Sequence, residues 1–282
     1  TMCDSSKLAA MPTPAPTSPQ FLESSPMRRS KTLEKWRSSQ PARLCCLGNF
    51  LPNFVRQAAH FGFDAIWLDL EHRTMSDREV QSLLAFFHLA DIDCMLRPPT
   101  LEKSRLYRYL EDGATGLMIP HVSTVEKAKM LVDAVKFPPL GDRGQDGAGL
   151  DSDFILQGGA AYPGEANRET FLVVQIETLE AVENVDAIAA VDGVDGLFVG
   201  PGDLGLRIGT SGTKLTIDQA IASVAAAARQ HGKAWGCPAG TPERLLEFHQ
   251  LGAQLVAYGG DFMAIMNMLR DCSETLDKVY GK

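Results

Sequence analysis

Short apolar runs alternate with longer amphipathic segments along the chain from residue 44 onward. Eight of these runs predict buried strands, at residues 44–47, 65–69, 94–97, 116–119, 172–176, 196–199, 234–237 and 255–258. Apolar residues at helical spacing lie between most of the runs, as at Val80, Leu83, Leu84 and Phe87. Eight such alternations favour a single-domain α/β fold, the (β/α)8 TIM barrel, over an open doubly wound sheet.

Residues 1–30 differ in composition from the rest of the chain. They are rich in proline, serine and threonine, a composition that buries too little apolar surface to order itself. We therefore predict a flexible tail over residues 1–30 and the barrel domain over residues 31–282. We expect the protein to be cytoplasmic. The alternative is that the tail is an organellar presequence, but such presequences contain few acidic residues and this tail has Asp4 and Glu23.

The net negative charge of the chain limits the kinds of molecule that it is expected to bind. The formal net charge is -8 at pH 7, and lysine and arginine form no stripe beyond residues 27–31. The chain is therefore not expected to bind a nucleic acid or a membrane, and its expected partner is a small molecule. The six cysteines show no C-x-x-C spacing and four of them lie in apolar runs, which predicts reduced buried thiols instead of a disulfide framework or a zinc site.

Polar side chains stand at the carboxyl ends of several predicted strands. Barrel enzymes carry their chemistry at these ends, so the side chains are expected to converge on one mouth of the barrel. They are Asp69, Glu71, His72, Arg97, Gln175, Glu177 and Asp203. Carboxylates such as Glu177 and Asp203 are ligands that a hard divalent cation prefers, so the pair predicts a metal site.

Four of these segments resemble the motifs of a known enzyme family. Leu-Asp-Leu-Glu-His at 68–72, Leu-Arg-Pro at 96–98, Val-Gln-Ile-Glu-Thr at 174–178 and Gly-Pro-Gly-Asp-Leu at 200–204 are similar to those of the HpcH/HpaI aldolases. These are class II pyruvate aldolases such as 4-hydroxy-2-oxoheptanedioate aldolase, in the phosphoenolpyruvate/pyruvate barrel superfamily. Residues 119–122 and 182–190 also resemble macrophomate synthase, a relative that decarboxylates oxaloacetate. The resemblance implies a lyase that cleaves a 4-hydroxy-2-oxo acid to pyruvate and an aldehyde.

The resemblance also implies roles for the residues around the metal. Glu177 and Asp203 would hold a divalent cation, Mg²⁺ first and Mn²⁺ or Co²⁺ as alternatives, with no organic cofactor. Arg97 would hold an enolate or carboxylate oxygen, and Gln175, Gly202 and Asp203 would contact the substrate. The residues by themselves leave two alternatives open, namely that Glu177 caps the following helix and that Arg97 forms an ordinary ion pair.

His72 is the expected proton carrier, because an imidazole exchanges protons near neutral pH. The alternative is a rim histidine that hydrogen-bonds a neighbouring loop. By resemblance a carboxylate of a neighbouring subunit orients this histidine, and the matching residue is Glu111, where the family usually has aspartate. A solvated helix-end charge is the alternative for Glu111. Asp69 is expected to support the metal ligands or their water, and Leu70 replaces the glycine that is usual in the family.

Three further expectations concern the whole protein. By resemblance it forms a homo-oligomer, a hexamer built as a trimer of dimers, in which the C-terminal helix is exchanged between subunits. The long connection over residues 138–168 is expected to be a lid or an interface segment, with Tyr162 a candidate to face the site.

Two other functions stay open: decarboxylation of oxaloacetate through the same enolate, and a non-catalytic barrel that binds a 2-oxo acid. No lysine follows the predicted strands, which argues against a covalent imine.

Overall fold

The computed structural model describes residues 26–281, in which eight parallel strands form one closed barrel. Each strand pairs with the next, and the pairing of the first with the last closes the ring. The strands are β1 Ala42–Leu47, β2 Ala65–Asp69, β3 Asp93–Arg97, β4 Gly116–Ile119, β5 Phe171–Ile176, β6 Gly196–Val199, β7 Ala234–Pro238 and β8 Leu255–Gly260. The predicted (β/α)8 barrel is therefore confirmed.

Helices follow the strands and surround the barrel. They are α1 Lys31–Arg37, α2 Pro52–His60, α3 Asp77–Ala90, α4 Lys103–Glu111, α5 Val125–Val135, α6 Tyr162–Glu169, α7 Leu179–Glu183, α8 Val185–Ala189, α9 Pro201–Ser211, α10 Ile217–Gln230, α11 Pro242–Gln250 and α12 Asp261–Tyr280. Two short 3₁₀ helices, Leu150–Ser152 and Gly159–Ala161, lie in the long connection between α5 and β5. No helix among residues 26–281 combines the length and apolarity that crossing a membrane requires.

The strands bury both of their faces, which explains why they are continuous apolar runs. In β5, Phe171 and Val173 join the cluster inside the barrel, whereas Leu172 and Val174 join the larger cluster between strands and helices. Alternate residues of a strand point to opposite sides, so the same run fills two separate layers of core. The interior is therefore packed with side chains, and a site has to lie at a mouth of the barrel.

Helix α1 closes the mouth at which the strands begin. Its N-cap is Ser30, whose hydroxyl accepts a hydrogen bond from the Leu33 N–H. Leu33 reaches the interior cluster, and the Trp36 ring packs on Phe171 with centroids 5.2 Å apart. Asp93, the first residue of β3, accepts hydrogen bonds from the Ser30 hydroxyl and the Thr32 N–H. The barrel is therefore open at the carboxyl ends of its strands.

Ordered contacts begin before residue 31. Residues 1–25 of the predicted tail lie outside the described residues. Met27 and Ser30, which the sequence also assigns to that tail, are buried, and the Arg28 guanidinium lies 2.9 Å from the buried Asp93 carboxylate. These contacts attach the approach to α1 to the start of β3.

The five cysteines in the described part of the chain are unpaired thiols, and Cys45, Cys94 and Cys237 are buried. Burial raises the pKa of the Cys45 and Cys237 thiols to about 12. They are therefore protonated near neutral pH, which fits the prediction that these cysteines are core residues.

Candidate active site

The open mouth of the barrel gathers the polar residues that the sequence places at strand ends. Asp69 and Arg97 are the last residues of β2 and β3, and they are partners in the strand register. Gln175 lies near the end of β5, Glu177 follows that strand directly, and Asp203 lies in the first turn of α9, which follows β6. The parallel strands bring these side chains to one rim because they all end at the same face of the barrel.

Arg97 is the central cation of this rim, and its side chain is only 9% exposed. Its guanidinium makes a two-pronged contact with Asp69, from Nε to Oδ1 at 3.0 Å and from Nη2 to Oδ2 at 2.9 Å. The remaining nitrogen, Nη1, lies 3.0 Å from Oε2 of Glu71 and donates to Oε1 of Gln175 at 3.4 Å. Beneath it the guanidinium stacks on the Trp67 ring, 4.6 Å from the centroid. The ion pair expected as the alternative role is thus present, and it fixes Arg97 in the site.

Asp69 is held ionised by this pairing. Burial alone would raise the pKa of its carboxyl group, but the hydrogen bonds and charge of Arg97, together with the N–H groups of His72 and Glu71, lower that pKa below its ordinary value. Asp69 therefore orients Arg97 and the turn after β2. Gln175, which was expected to contact the substrate, also contacts Arg97, so it holds the guanidinium together with Asp69.

A second cluster lies beside Arg97 and contains Glu177, Asp203 and His121. One potential ligand atom from each of these residues lies within 4.8 Å of the other two. Glu177 is buried, and its Oε1 accepts the His121 backbone N–H at 2.7 Å and lies 3.2 Å from His121 Nδ1. Its other oxygen, Oε2, faces Gly200, where the Cβ of any other residue would collide with it. One oxygen of Glu177 is thus fixed by His121, and the second points along the rim.

The Glu177 carboxylate lies in a surplus of negative charge. Burial raises its pKa, the His121 N–H and the His121 ring act in the opposite direction, and the nearby Glu71 and Asp203 raise it further. Thr178, not Glu177, caps the following helix, since its hydroxyl accepts the Ala181 N–H at 3.0 Å. The Glu177 and Asp203 carboxylates lie close together, and carboxylate oxygens are the donors that a hard divalent cation takes, so the residues present fit such an ion.

His72 lies at the outer edge of the rim, with its side chain 58% exposed. Its Nε2 is 3.6 Å from Oε2 of Glu71, and its backbone N–H points to Oδ1 of Asp69 at 3.4 Å. The imidazole is therefore accessible to a ligand in the mouth. Glu71 contacts both His72 and Arg97, which links the exposed histidine to the buried guanidinium.

Glu111 lies at the opposite end of the barrel from His72 of the same chain. It is the last residue of α4, a helix that leads from the end of β3 back to the start of β4. Its neighbours there are Gly149 and charged residues of the long connection. Burial raises the pKa of Glu111, Arg143 opposes this shift, and Asp151 adds to it. Glu111 and His72 of one chain therefore lie apart, and the predicted pairing of Glu111 with His72 of a neighbouring subunit stays a prediction.

The long connection lies at this closed end as well, so Tyr162 does not face the rim of its own barrel. The Tyr162 hydroxyl donates to Oδ2 of Asp151 at 2.8 Å, and Nη2 of Arg143 donates to the same hydroxyl at 3.1 Å. The Phe137 ring packs against Tyr162 with centroids 5.5 Å apart. These contacts build the connection into a compact polar network instead of a lid over the open mouth.

Four residues of the rim were not assigned roles from the sequence: Trp67, Glu71, His121 and Arg207. Glu71 was predicted only as a strand-end residue, and His121 lies just beyond the predicted strand at residues 116–119. Trp67 is recognisable because it lies two residues before Asp69, on the same face of β2. Arg207 lies one turn into α9, where its Nη1 is 3.3 Å from Oδ1 of Asp203. The spacing of Asp203 and Arg207 could have revealed that pair.

Comparison with known proteins shows which relatives the chain has. The HpcH/HpaI aldolase/citrate lyase profile matches residues 44–268. A hydroxypyruvate/pyruvate aldolase from Pseudomonas aeruginosa is 33% identical, over 87% of this chain and 91% of that protein. A 4-hydroxy-2-oxovalerate aldolase from Novosphingobium aromaticivorans is 36% identical, over 74% of this chain and 80% of that protein.

Two solved structures show the same architecture. An HpcH/HpaI aldolase from Desulfitobacterium hafniense DCB-2 is similar with a TM-score of 0.79 and 30% identity, covering 86% of this chain and 95% of that one. Macrophomate synthase has a TM-score of 0.76 at 23% identity, covering 91% and 92%, which shows the fold. The motifs, the match to the profile and these relatives agree, and the chain belongs to the HpcH/HpaI aldolase/citrate lyase family.

Proposed function

We propose that this protein is a divalent-metal-dependent carbon-carbon lyase that reversibly cleaves a 4-hydroxy-2-oxo acid to pyruvate and an aldehyde. The observation that carries the proposal is the buried Arg97 guanidinium, fixed by Asp69 and Gln175 next to the Glu177 and Asp203 carboxylates. A cation site beside a fixed guanidinium suits a substrate on which negative charge develops during the reaction. Aldolases among the relatives support the same reaction class.

Glu177 and Asp203 would hold the cation in this proposal. When bound, it would act as a Lewis acid toward the keto group of the substrate. The carboxylates leave room for substrate because two protein ligands fill only part of the coordination shell that Mg²⁺ or Mn²⁺ takes. The N–H groups of Gly202 and Asp203 lie in the first turn of α9, a favourable place for the substrate carboxylate.

Arg97 and His72 share the remaining chemistry. The guanidinium of Arg97 donates a hydrogen bond from its remaining Nη2 N–H to the oxygen that becomes the enolate oxygen, and its contacts with Asp69 and Gln175 hold it in place before the reaction. His72 accepts the proton of the 4-hydroxyl group, directly or through water, as the carbon-carbon bond breaks. The enolate carbon then gains one proton to become pyruvate, which balances the proton that the imidazole has taken. In the reverse direction the protonated imidazole returns its proton to the new hydroxyl group.

The proposed enzyme works as a homo-oligomer. Helix α12 leaves the barrel after β8 with apolar side chains exposed to solvent, and Phe262, Met263, Met266 and Leu269 are each more than half exposed. A 20-residue helix with this pattern gains stability by docking on a second copy. In such an assembly Glu111 of one subunit orients His72 of another, which accounts for a carboxylate that lies far from the histidine of its own chain.

The reaction is tested by a pyruvate-release screen. The metal-free protein is incubated with 4-hydroxy-2-oxo acids that differ in their aldehyde half, and with oxaloacetate, with and without added Mg²⁺ or Mn²⁺. Pyruvate and an equal amount of aldehyde are expected from at least one hydroxy acid, and EDTA should abolish this activity. Faster release of CO₂ from oxaloacetate would favour the decarboxylase instead. Turnover that survives chelation would overturn the metal mechanism.

Sharing of the site between subunits predicts complementation. Glu111→Gln and His72→Asn should each be nearly inactive alone. Co-expression gives mixed dimers in which one site combines an intact His72 with an intact Glu111, so about a quarter of wild-type activity should return. The control is a mixture of His72→Asn with Asp203→Asn, which changes two residues of the same rim and should not recover. Equal activity of the two mixtures would contradict a shared site.

A further inference from the structure

His121 stands out on the rim because its backbone has an unusual conformation. Its φ angle is +55°, in the left-handed region that residues with a side chain adopt only when their surroundings require it. Its N–H donates to Oε1 of Glu177, and its carbonyl oxygen accepts from the Lys127 ammonium at 2.9 Å. The next residue, Val122, donates its N–H to the Gln175 carbonyl oxygen at 3.2 Å. The backbone on both sides of the imidazole is therefore held in place.

The orientation of the imidazole determines which nitrogen is free. Nδ1 lies 3.2 Å from Oε1 of Glu177, so the tautomer with the proton on Nδ1 donates to this oxygen. The lone pair then lies on Nε2, which is 3.9 Å from Oδ2 of Asp203 and 3.9 Å from Oε1 of Glu71. A carboxylate on one nitrogen of a histidine commonly fixes the other nitrogen as a metal ligand. Here Glu177 fixes Nε2 so that it faces two carboxylate oxygens.

The separations suit a cation between these groups. Bonds from a first-row divalent cation to imidazole nitrogen and carboxylate oxygen are each about 2.0–2.2 Å. Two such bonds reach across the 3.9 Å from His121 Nε2 to Asp203 Oδ2 when they meet at a wide angle, and a smaller angle needs the partly exposed Asp203 side chain to move toward the imidazole. Glu177 contributes the third ligand atom of the same cluster. The three protein ligands are then one nitrogen, from His121, and two oxygens, from Asp203 and Glu177. The two carboxylates without His121 would offer only oxygen.

We propose that Nε2 of His121 is a third protein ligand of the cation, and that it shifts the preference of the site from Mg²⁺ toward Co²⁺ and other later first-row divalent ions. Imidazole nitrogen binds these ions well, whereas Mg²⁺ prefers oxygen ligands and water. The proposal rests on the proposed metal site and adds a residue and a selectivity to it. Glu177 has two functions in this arrangement, as a ligand and as the group that orients the second ligand.

The test is metal binding to the full-length, metal-stripped protein without substrate. Calorimetric titrations with Mg²⁺ and with Co²⁺ are compared for wild type, His121→Asn, Glu177→Gln and His249→Gln. Asparagine suits this position because it tolerates positive φ and lacks the imidazole nitrogen. His249 is an exposed histidine on α11 and controls for adventitious binding of Co²⁺ to histidine. The visible absorption spectrum of bound Co²⁺ gives a second readout that reports directly on its ligands.

His121→Asn is expected to weaken Co²⁺ binding by about 10–100-fold, to leave Mg²⁺ binding nearly unchanged and to alter the Co²⁺ spectrum. His249→Gln should behave as wild type. If His121→Asn keeps the wild-type ratio of Co²⁺ to Mg²⁺ affinity and the wild-type spectrum while Glu177→Gln abolishes binding, His121 is not a ligand and the proposed metal site stands. If wild type binds neither ion, both proposals fail. Circular dichroism of His121→Asn establishes that a lost affinity is not lost folding.

Discussion

Replacing Glu177 by glutamine, or Asp203 by asparagine, is expected to lower kcat by about 10³-fold, because each change would remove a charged ligand of the proposed cation, whose contribution to the transition state is several kcal/mol. The measurement is pyruvate release at saturating substrate and metal. Glutamine keeps the shape of Glu177 and can still accept the His121 N–H. The loss should therefore arise from the missing charge and not from misplacement of the rim.

The stability of the Glu177→Gln variant separates this interpretation from a folding defect. In the metal-free protein the wild-type carboxylate is buried near Glu71 and Asp203, so its neutralisation should leave the thermal midpoint unchanged or raise it. Glu180→Gln is the matched control, since Glu180 is an exposed glutamate on α7. A Glu177→Gln enzyme within about tenfold of the wild-type kcat would contradict the assignment, because loss of a metal ligand costs more than one kcal/mol.

Arg97→Lys is expected to lower kcat/KM by about 10²–10³-fold, the loss that follows removal of one preorganised donor to a developing oxyanion. Lysine keeps the charge but cannot reproduce the fork that contacts Asp69 while a third nitrogen contacts Glu71. It also loses the planar stacking on Trp67. The pKa of Asp69 should rise toward its ordinary value, because Arg97 is the group that lowers it.

The choice of lysine avoids a larger disturbance. Truncation to alanine would leave Asp69 and Glu71 without their shared cation, at a cost of about 3–5 kcal/mol for a buried pair. Arg105→Lys is the matched control, because Arg105 forms an exposed ion pair with Asp77 at 3.1 Å. Wild-type kcat/KM in Arg97→Lys, with an intact thermal midpoint, would show that a point charge suffices and that the fork is not used.

The apolar runs predicted the barrel because a parallel strand that is buried on both faces consists almost entirely of apolar residues. Every predicted strand overlaps an observed one, and the largest differences are two-residue extensions, of β1 back to Ala42 and of β8 through Gly260. The rim followed from the strands, since residues such as Asp69, Arg97 and Glu177 take their position from the end of a strand. The sequence did not predict α1 as a closure of the barrel, because Leu33 and Trp36 contact strands far along the chain.

The fine structure of the site depends on features that no periodicity records. His121 lies beside Glu177 and Asp203 with its backbone at a positive φ, which apolar patterning does not report. Glu71 lies 3.6 Å from His72 within the turn after β2 and 3.0 Å from Arg97 at the end of β3, and the second distance depends on how the two strands twist against each other. The position of Glu111 could have been derived, because the helices of such a barrel run antiparallel to its strands and therefore end at the opposite face.

The closure of one end of the barrel by α1 bears on how such proteins diverge. With Leu33 filling the base, a ligand meets only the loops and helix starts at the open rim. Changes in those loops alter what is recognised without disturbing the layers that keep the chain folded. Related aldolases named for different substrates share about a third of their residues with this chain. Because α1 closes the other end of the barrel, the range of substrates can change during evolution through the rim loops alone, while the core that keeps the chain folded stays the same.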